Sequence, residues 1–286
     1  MPEYFSRMEL KEFILKALAE DIGSGDSTSL ACVDANASGK AQLLIKDSGI
    51  LAGMRIAKYI FDLVDEKISF NNILSDGDKI KSGDIAFEIK GNIQNILKTE
   101  RTVLNIMQRM SGIATETFKY VEQVKGLKTK ILDTRKTTPL FREFEKEAVR
   151  IGGGFNHRMG LYDMIMIKDN HIDAAGGINN AIEKVNQYQK ENKTDLKVEI
   201  EVRNLSEVEE VLIKGGVLRI MLDNFEIGDL KKAVELINHK YETEASGGIN
   251  LQNVRSYAET GVDFISIGAL THSYKSLDMS LKIKKD

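Results

Sequence analysis

The spacing of apolar residues divides the chain into two textures. Leu10, Phe13, Ile14, Ala17 and Leu18 recur at i, i+3, i+4, i+7 and i+8, which predicts an amphipathic helix from about Met8 to Ile22, stopped at Gly23. The stretch AQLLIKDSGILAG then reads as a strand, a turn at Asp47 to Gly49 and a second strand, and a helical period returns from Met54 to Val64. ISF and DGDKIKSGDIAFEIKG add short strands joined at glycines. The segment NIQNILKTERTVLNIMQRMSG is helical, with Leu97, Leu104 and Met107 on one stripe and Glu100, Arg101 and Arg109 off it. Ser111 and Gly112 mark the expected domain boundary.

Beyond that point short apolar strands alternate with helical stretches. KTKILDT, MIMIKDN, KVEIEV, RIMLDN, YETEAS and DFISIG are separated by FREFEKEAVR, NNAIEKVNQYQK, LSEVEEVLIKGG, IGDLKKAVELINH and LQNVRSYAETG. Such a βα repeat builds a parallel sheet, and six or seven units give an α/β barrel smaller than the eightfold one. An open doubly wound sheet is the competing architecture, but neither a G-x-G-x-x-G nor a G-x-x-x-x-G-K-[ST] stands in the chain to support it. The expected organisation is an N-terminal α/β layer domain over residues 1–111, completed by 273–286, and a barrel over 112–272.

The 286 residues are 42% hydrophobic and 29% charged, which fits a soluble globular chain with one large core or two modest ones. No run approaches the roughly 18 apolar residues of a membrane span, and MPEYFSRMELKEF carries charge where a signal peptide is apolar. A cytoplasmic protein is expected. Cys32 is the single cysteine, so an intramolecular disulfide and a multi-cysteine zinc site are excluded and any metal is expected on oxygen.

Charge changes the picture locally. The net charge is -3, yet Arg135, Lys136, His157, Arg158, Lys168 and His171 gather among turn residues and glycines between Asp133 and His171. Basic residues concentrated in an acidic chain predict a pocket for an anion, not a nucleic-acid surface. Active sites of α/β barrels lie at the C-terminal strand ends, so the residues that end each apolar run carry the information. ILD is followed by Thr134, Arg135 and Lys136, MIMI by Lys168, KVEIE ends at Glu201 and RIML ends at Asp223. The alternation in VEIEV puts Glu199 and Glu201 on one face, which in a barrel points inward. Buried carboxylates need cationic side chains or a hard cation such as Mg²⁺. After the last two strands, Ser246, Gly247 and Gly248, and then Gly268 and Ala269, are each expected to open a helix and seat a phosphate. His239 is expected at a helix C-terminus, and His171 and His272 in structural or supporting places. No Ser-His-Asp order, H-E-x-x-H or activated cysteine supports nucleophilic or zinc hydrolysis.

LAEDIGSGDST, ERTVLNIMQRMSGIAT, DTRKTTP, GGGFNHRMGLYDMIMIKDNHI, EIEV, IMLDNF, SGGI and TGVDFISIGALTHS together span nearly the whole chain. In this combination the chain resembles the quinolinate phosphoribosyltransferase family. The resemblance implies a type II phosphoribosyltransferase-like fold, an N-terminal α/β open sandwich followed by an incomplete, six- to seven-stranded α/β barrel. It implies transfer of phosphoribosyl from 5-phosphoribosyl 1-pyrophosphate to quinolinate with loss of CO₂, in a homo-oligomer, a dimer or a dimer-based hexamer, with Mg²⁺. By the same resemblance Thr134, Arg135, Lys136, His157, Arg158 and Lys168 contact the quinolinate carboxylates and nearby phosphate oxygens, and Arg101 reaches in from a neighbouring subunit. Lys136, Glu201 and Asp223 are the implied catalytic residues, with Glu201 and Asp223 on the ribose hydroxyls and metal. Ser246, Gly247 and Gly248 with Ile267, Gly268 and Ala269 are implied at the 5-phosphate. Two positions depart from the family pattern: Leu140 stands where glycine is common, and one extra residue lies between Glu201 and Asp223, in KGGVLR.

Three other readings compete. A molybdenum-transport-associated relative shares the fold, but the intact DTRKTTP and N-H-R favour quinolinate. GDKIKSGDIAFEIKG resembles half of a biotinyl or lipoyl carrier domain, yet lacks the flanked lysine at a hairpin tip. A non-catalytic ligand-binding protein on this fold is opposed by the retained acidic and basic positions.

Overall fold

The structure, a computed structural model, describes residues 7–284. Its elements run α1 (Arg7–Ile22), α2 (Ser27–Cys32), β1 (Ser38–Ile45), β2 (Gly49–Ile50), α3 (Met54–Val64), β3 (Ser69–Asn72), β4 (Lys79–Ile80), β5 (Ile85–Asn92) and α4 (Ile93–Gln123). There follow β6 (Lys130–Leu132), α5 (Arg142–Ile151), β7 (Ile165–Ile167), α6 (Asp169–Ala175), α7 (Ile178–Asn192), β8 (Val198–Val202), α8 (Leu205–Lys214) and β9 (Arg219–Asp223). The last are α9 (Ile227–Ile237), β10 (Glu242–Ser246), α10 (Val254–Ala258), β11 (Phe264–Ser266), α11 (Ala269–His272) and β12 (Met279–Lys284). They form two compact units: the chain up to Phe118 with Thr138–Gly153 and everything from Tyr274, and the rest, Lys119–Thr137 with Gly154–Ser273.

The first unit is built on a four-stranded sheet in the order β12-β1-β5-β3. β12 pairs antiparallel with β1 from Lys40↔Lys284 to Ile45↔Met279. Ala41, Leu43 and Ile45 are fully buried on one side of β1, while Lys40, Gln42 and Leu44 are not. Ile56, Ala57, Ile60 and Phe61 form the fully buried face of α3. Phe61 meets Phe70 and Phe87 at centroid separations of 6.0 and 6.2 Å, which seats α3 on the sheet.

Three readings of this unit need correction. The strand expected after Asp47 is only the two-residue β2, which pairs with β4. Its Ile50 amide donates to Thr115 Oγ1 at 2.8 Å, so helix α4 captures the segment. Ser111 and Gly112 do not end a helix but lie inside α4. The Ser111 hydroxyl accepts the Ala52 amide at 2.9 Å and donates to the Ala52 carbonyl at 3.1 Å. Any side chain at Gly112 would strike the Lys275 carbonyl, so this glycine marks close backbone packing inside the helix. The residues 138–153, placed in the barrel domain by the alternation of strands and helices, belong to this unit instead. There Phe144 packs on Phe13 with centroids 5.0 Å apart, and Arg109 pairs with the fully buried Glu145 at 2.5 Å.

The second unit carries six parallel strands in the order β6-β11-β10-β9-β8-β7. β6 and β7 do not pair with one another, so this α/β barrel is incomplete. All five residues of β8 are buried. Val198, Ile200 and Val202 alternate with Glu199 and Glu201, and the register Glu199↔Arg219, Glu201↔Met221 and Glu244↔Met221 puts polar side chains of three strands on one inner face. No helix is long and apolar enough to cross a membrane among the described residues.

Candidate active site

The exit of β6 is held from below. Asp133, fully buried, accepts the His157 amide at 2.8 Å and a bond from the Asn156 side-chain amide. Above it the Lys136 amide donates to Thr134 Oγ1 at 3.0 Å, and the Lys136 carbonyl accepts the Thr271 hydroxyl at 2.8 Å. The aliphatic stem of Lys136 runs across Gly268, where an added Cβ would lie 2.9 Å from its Cδ. These contacts bring Lys136 to the loop after β11, as barrel topology requires of neighbouring strand ends.

Arg135 and Arg158 form the cationic part. Both are half-buried, and the Arg135 Nε donor is buried with no acceptor. Burial, and after it the charge of Arg135, lowers the pKa of Arg158. Two guanidinium groups close enough to repel one another, with a donor unused, make a site that gains from a planar, bidentate anion. Arg158 is braced from the other side by the Met164 carbonyl, which its Nη1 reaches at 3.3 Å.

Lys168, at the end of β7, places Nζ 2.6 Å from Glu201 Oε2. His171 does not face an anion: its Nδ1 accepts the Lys168 amide at 2.9 Å and caps α6. Asp223 ends β9, the strand next to β8, two residues beyond the Met221 that pairs with Glu201, and Asn224 Nδ2 donates to its carboxylate at 2.6 Å. Two carboxylates at adjacent strand ends fit the sparse protein ligand set that Mg²⁺ takes when substrate oxygens complete its shell.

His157 sits differently from its neighbours in the sequence motif. Its side chain is 5% exposed, and Nε2 lies 3.1 Å from Glu199 Oε2 and 3.4 Å from Glu244 Oε2. Its Nδ1 lies 2.6 Å from the Arg158 amide nitrogen. Burial works against a charged ring, but Glu199 and Glu244 outweigh it and push the pKa up to about 9. Arg219 closes the cluster with Nη1 2.8 Å from Glu244 and Nη2 2.9 Å from Glu242. Burial raises Glu199, with Glu244 adding repulsion; for Glu244 the His157 and Arg219 partners overcome burial and lower it. His157, Glu199 and Glu244 are also the one group of three or more His, Cys, Asp or Glu side chains close enough to share a metal ion among the described residues. Arg219 already neutralises part of that cluster.

Of the two loops expected to seat a phosphate, the one after β10 is a glycine turn and not a helix mouth. Gly247 and Gly248 have φ of 96° and 65°, and a Cβ at Gly247 would collide with Asn224. The Asn224 amide in turn donates to the Ser246 carbonyl at 2.8 Å, tying this loop to the Asp223 loop. One expected helix opening needs correction, since α10 starts only at Val254, well after Gly248; the other stands, with Gly268 as the N-cap of the single-turn α11, Ala269–His272. Arg101 is in the other unit, exposed on α4, on the wall of a cavity of about 660 Å³ shared with Arg109, Asn105 and Thr138.

Sequence reasoning passed over Glu244, Arg219, Asp133 and Asn224. The alternation of Glu242 and Glu244 in YETEAS carried a signal for the first, the same one that exposed Glu199 and Glu201. Nothing local distinguishes Asn224, whose role depends on the approach of Gly247.

The family model for the quinolinate phosphoribosyl transferase N-terminal domain matches residues 26–111, and that for the C-terminal domain matches residues 113–282. A mitochondrial quinolinate phosphoribosyltransferase [decarboxylating] of Nicotiana tabacum is 48% identical over 96% of this chain and 82% of its own. A probable nicotinate-nucleotide pyrophosphorylase [carboxylating] of Bacillus subtilis is 41% identical over 97% and 94%. The crystal structure of NadC from Streptococcus pyogenes superposes with a TM-score of 0.92 at 38% identity, covering 99% of this chain and 100% of that one. With both domain models matched end to end and this fold in common, the chain belongs to the quinolinate phosphoribosyltransferase family.

Proposed function

We propose that the protein transfers phosphoribosyl from 5-phosphoribosyl 1-pyrophosphate to the ring nitrogen of quinolinate, releasing pyrophosphate and CO₂ and giving nicotinate mononucleotide for NAD biosynthesis. The observation that carries this reading is the Arg135 and Arg158 pair, half-buried, mutually repelling and with an unused buried donor. A pyridine with two adjacent carboxylates supplies the negative charge that this pair lacks.

The chemistry follows from charge placement. As the bond to pyrophosphate lengthens, the ribosyl carbon becomes oxocarbenium-like, and the quinolinate nitrogen attacks it in line. Lys136, beside the Gly268 loop, and Lys168 offer positive charge to the phosphate oxygens, while Glu201 and Asp223 orient the ribose hydroxyls. Glu201 and Asp223 would also hold Mg²⁺, which would supply Lewis-acid stabilisation of the leaving diphosphate. The amide groups of Ser246, Gly247, Gly248, Gly268 and Ala269 receive the 5-phosphate. Once N-ribosylated, the ring is a pyridinium whose positive nitrogen stabilises the electron pair left when the adjacent C–CO₂ bond breaks, and that carbon then takes a proton from water to give nicotinate mononucleotide. No covalent enzyme intermediate is required. Arg101 acts on the active site of a second copy in a homodimer or dimer-based hexamer, and the enzyme works in the cytoplasm.

Purified protein given quinolinate, 5-phosphoribosyl 1-pyrophosphate and Mg²⁺ is expected to form nicotinate mononucleotide and CO₂ in equal amounts. Nicotinate in place of quinolinate is expected to give no product; mononucleotide formed from nicotinate without CO₂ would overturn the reading.

A further inference from the structure

The buried cluster of His157, Glu199, Glu244 and Arg219 meets the proposed quinolinate site at one point, the backbone of Arg158. Glu244, fully buried in the middle of β10, faces Arg219 at 2.8 Å and His157 Nε2 at 3.4 Å through the same oxygen. Glu199 faces that ring nitrogen at 3.1 Å. On its other side the ring's Nδ1 lies 2.6 Å from the Arg158 amide nitrogen, and one residue earlier in the chain the His157 amide is held by Asp133 at 2.8 Å. Arg219 is itself fixed, by Glu242 at 2.9 Å and by the Phe264 ring, 4.0 Å from its guanidinium carbon. An unbroken chain of contacts therefore runs from Arg219 through Glu244 and the His157 ring to the backbone of Arg158.

A buried ion cluster of this kind adds little net stability over well-packed apolar side chains, because desolvation offsets the Coulomb gain. What it does supply is a fixed orientation for the imidazole and, through it, for the peptide that follows. We infer that Glu244 is a positioning residue for quinolinate: by holding the His157 ring it fixes the backbone from which Arg158 projects, and so sets the spacing of the Arg135 and Arg158 guanidinium groups that two adjacent carboxylates must match. This inference rests on the assignment of those arginines to quinolinate. The 5-phosphoribosyl 1-pyrophosphate groups, assigned to Lys136, Lys168, Glu201, Asp223 and the glycine loops, are not on this chain of contacts. Glu244 therefore acts on one substrate and not the other.

The test is steady-state kinetics of Glu244→Gln, which keeps the side-chain shape and removes the charge, beside His157→Asn, the double variant and Arg158→Ala. Glu244→Gln is expected to raise the KM for quinolinate by roughly tenfold or more, the scale of a sub-ångström misplacement, with the KM for 5-phosphoribosyl 1-pyrophosphate within about twofold of wild type. His157→Asn is expected to do the same, and the double variant to be no worse than either single one, since both cut one path. Should Glu244→Gln not fold, Glu244→Asp, which withdraws the carboxylate by one methylene, is expected to show the same selective rise at smaller size. An unchanged quinolinate KM, a parallel rise in both KM values, or additive effects in the double variant would overturn the inference. Arg158→Ala separates the two layers. A quinolinate KM unaffected by it removes the arginine assignment and this inference with it, whereas a strong effect there beside a silent Glu244→Gln removes the inference alone.

Discussion

Single side chains decide both the chemistry and the strain in this molecule. In the proposed reading Arg135 and Lys168 each place one positive charge where the substrates carry negative charge. Arg135→Ala and Lys168→Ala are each expected to lower kcat/KM by at least about 100-fold, the scale of removing one preorganised charge contact, with the fold intact by circular dichroism. Wild-type kinetics for both variants would refute the assignment. Leu140 shows the opposite situation, a residue that the site does not need as leucine. Its φ is 63° and it is 86% exposed, so the loop keeps the left-handed backbone that glycine would adopt freely. A non-glycine residue there costs about 1–2 kcal/mol, partly offset by the lower entropy of its unfolded chain, and an exposed leucine gains little from burial. Leu140→Gly is expected to stabilise the protein by roughly 0.5–1 kcal/mol, read as a higher urea midpoint. The departure from the family pattern was visible in the sequence, but the positive φ was not, because φ is set by the whole turn.

At the scale of elements, legibility followed how local each cause is. Helix α3 was readable to its ends because its buried face repeats at i, i+3 and i+4, and β8 because two glutamates alternate with three β-branched residues. Ser111 and Gly112 misled because a close helix contact and a helix stop use the same small residues. Helix α5 was legible as a helix, but the partners that draw it into the first unit, Phe13 and Arg109, lie over a hundred and about thirty positions earlier in the chain, beyond any local pattern. The same helix carries a titrating group. Burial first, and then the charges of Glu9 and Glu147, raise Glu143 from 4.5 to about 7. Its favourable place in the first helical turn is outweighed. Between those two values the folded chain binds a proton that the unfolded chain has released, so this group lowers stability as pH rises from about 4.5 to about 7 and leaves it constant above. Glu143→Gln is accordingly expected to raise the melting temperature at pH 8 and to leave it unchanged at pH 4. An equal shift at both values would show that the carboxylate charge is not the cause.

The whole molecule is acidic, with a net charge of -3, and yet gathers its cations at the strand ends of one unit. That contrast was legible from spacing alone, as was the βα repeat that carries those strand ends. What the sequence could not reveal is how the cations divide: Arg135 and Arg158 face each other, Lys168 is taken by Glu201, His171 caps a helix, and His157 turns down onto carboxylates. Only the pairing of strands fixes those choices. The central claim is that two adjoining guanidinium groups select a dicarboxylated pyridine. The most direct measurement is calorimetric binding of quinolinate and of nicotinate to the wild-type protein and to Arg158→Ala. Quinolinate is expected to bind at least about 100-fold more tightly than nicotinate to the wild type, from the charge-assisted contacts of the second carboxylate, with most of that preference lost in the variant. Equal affinities in the wild type, or a preference that survives the loss of Arg158, would contradict it.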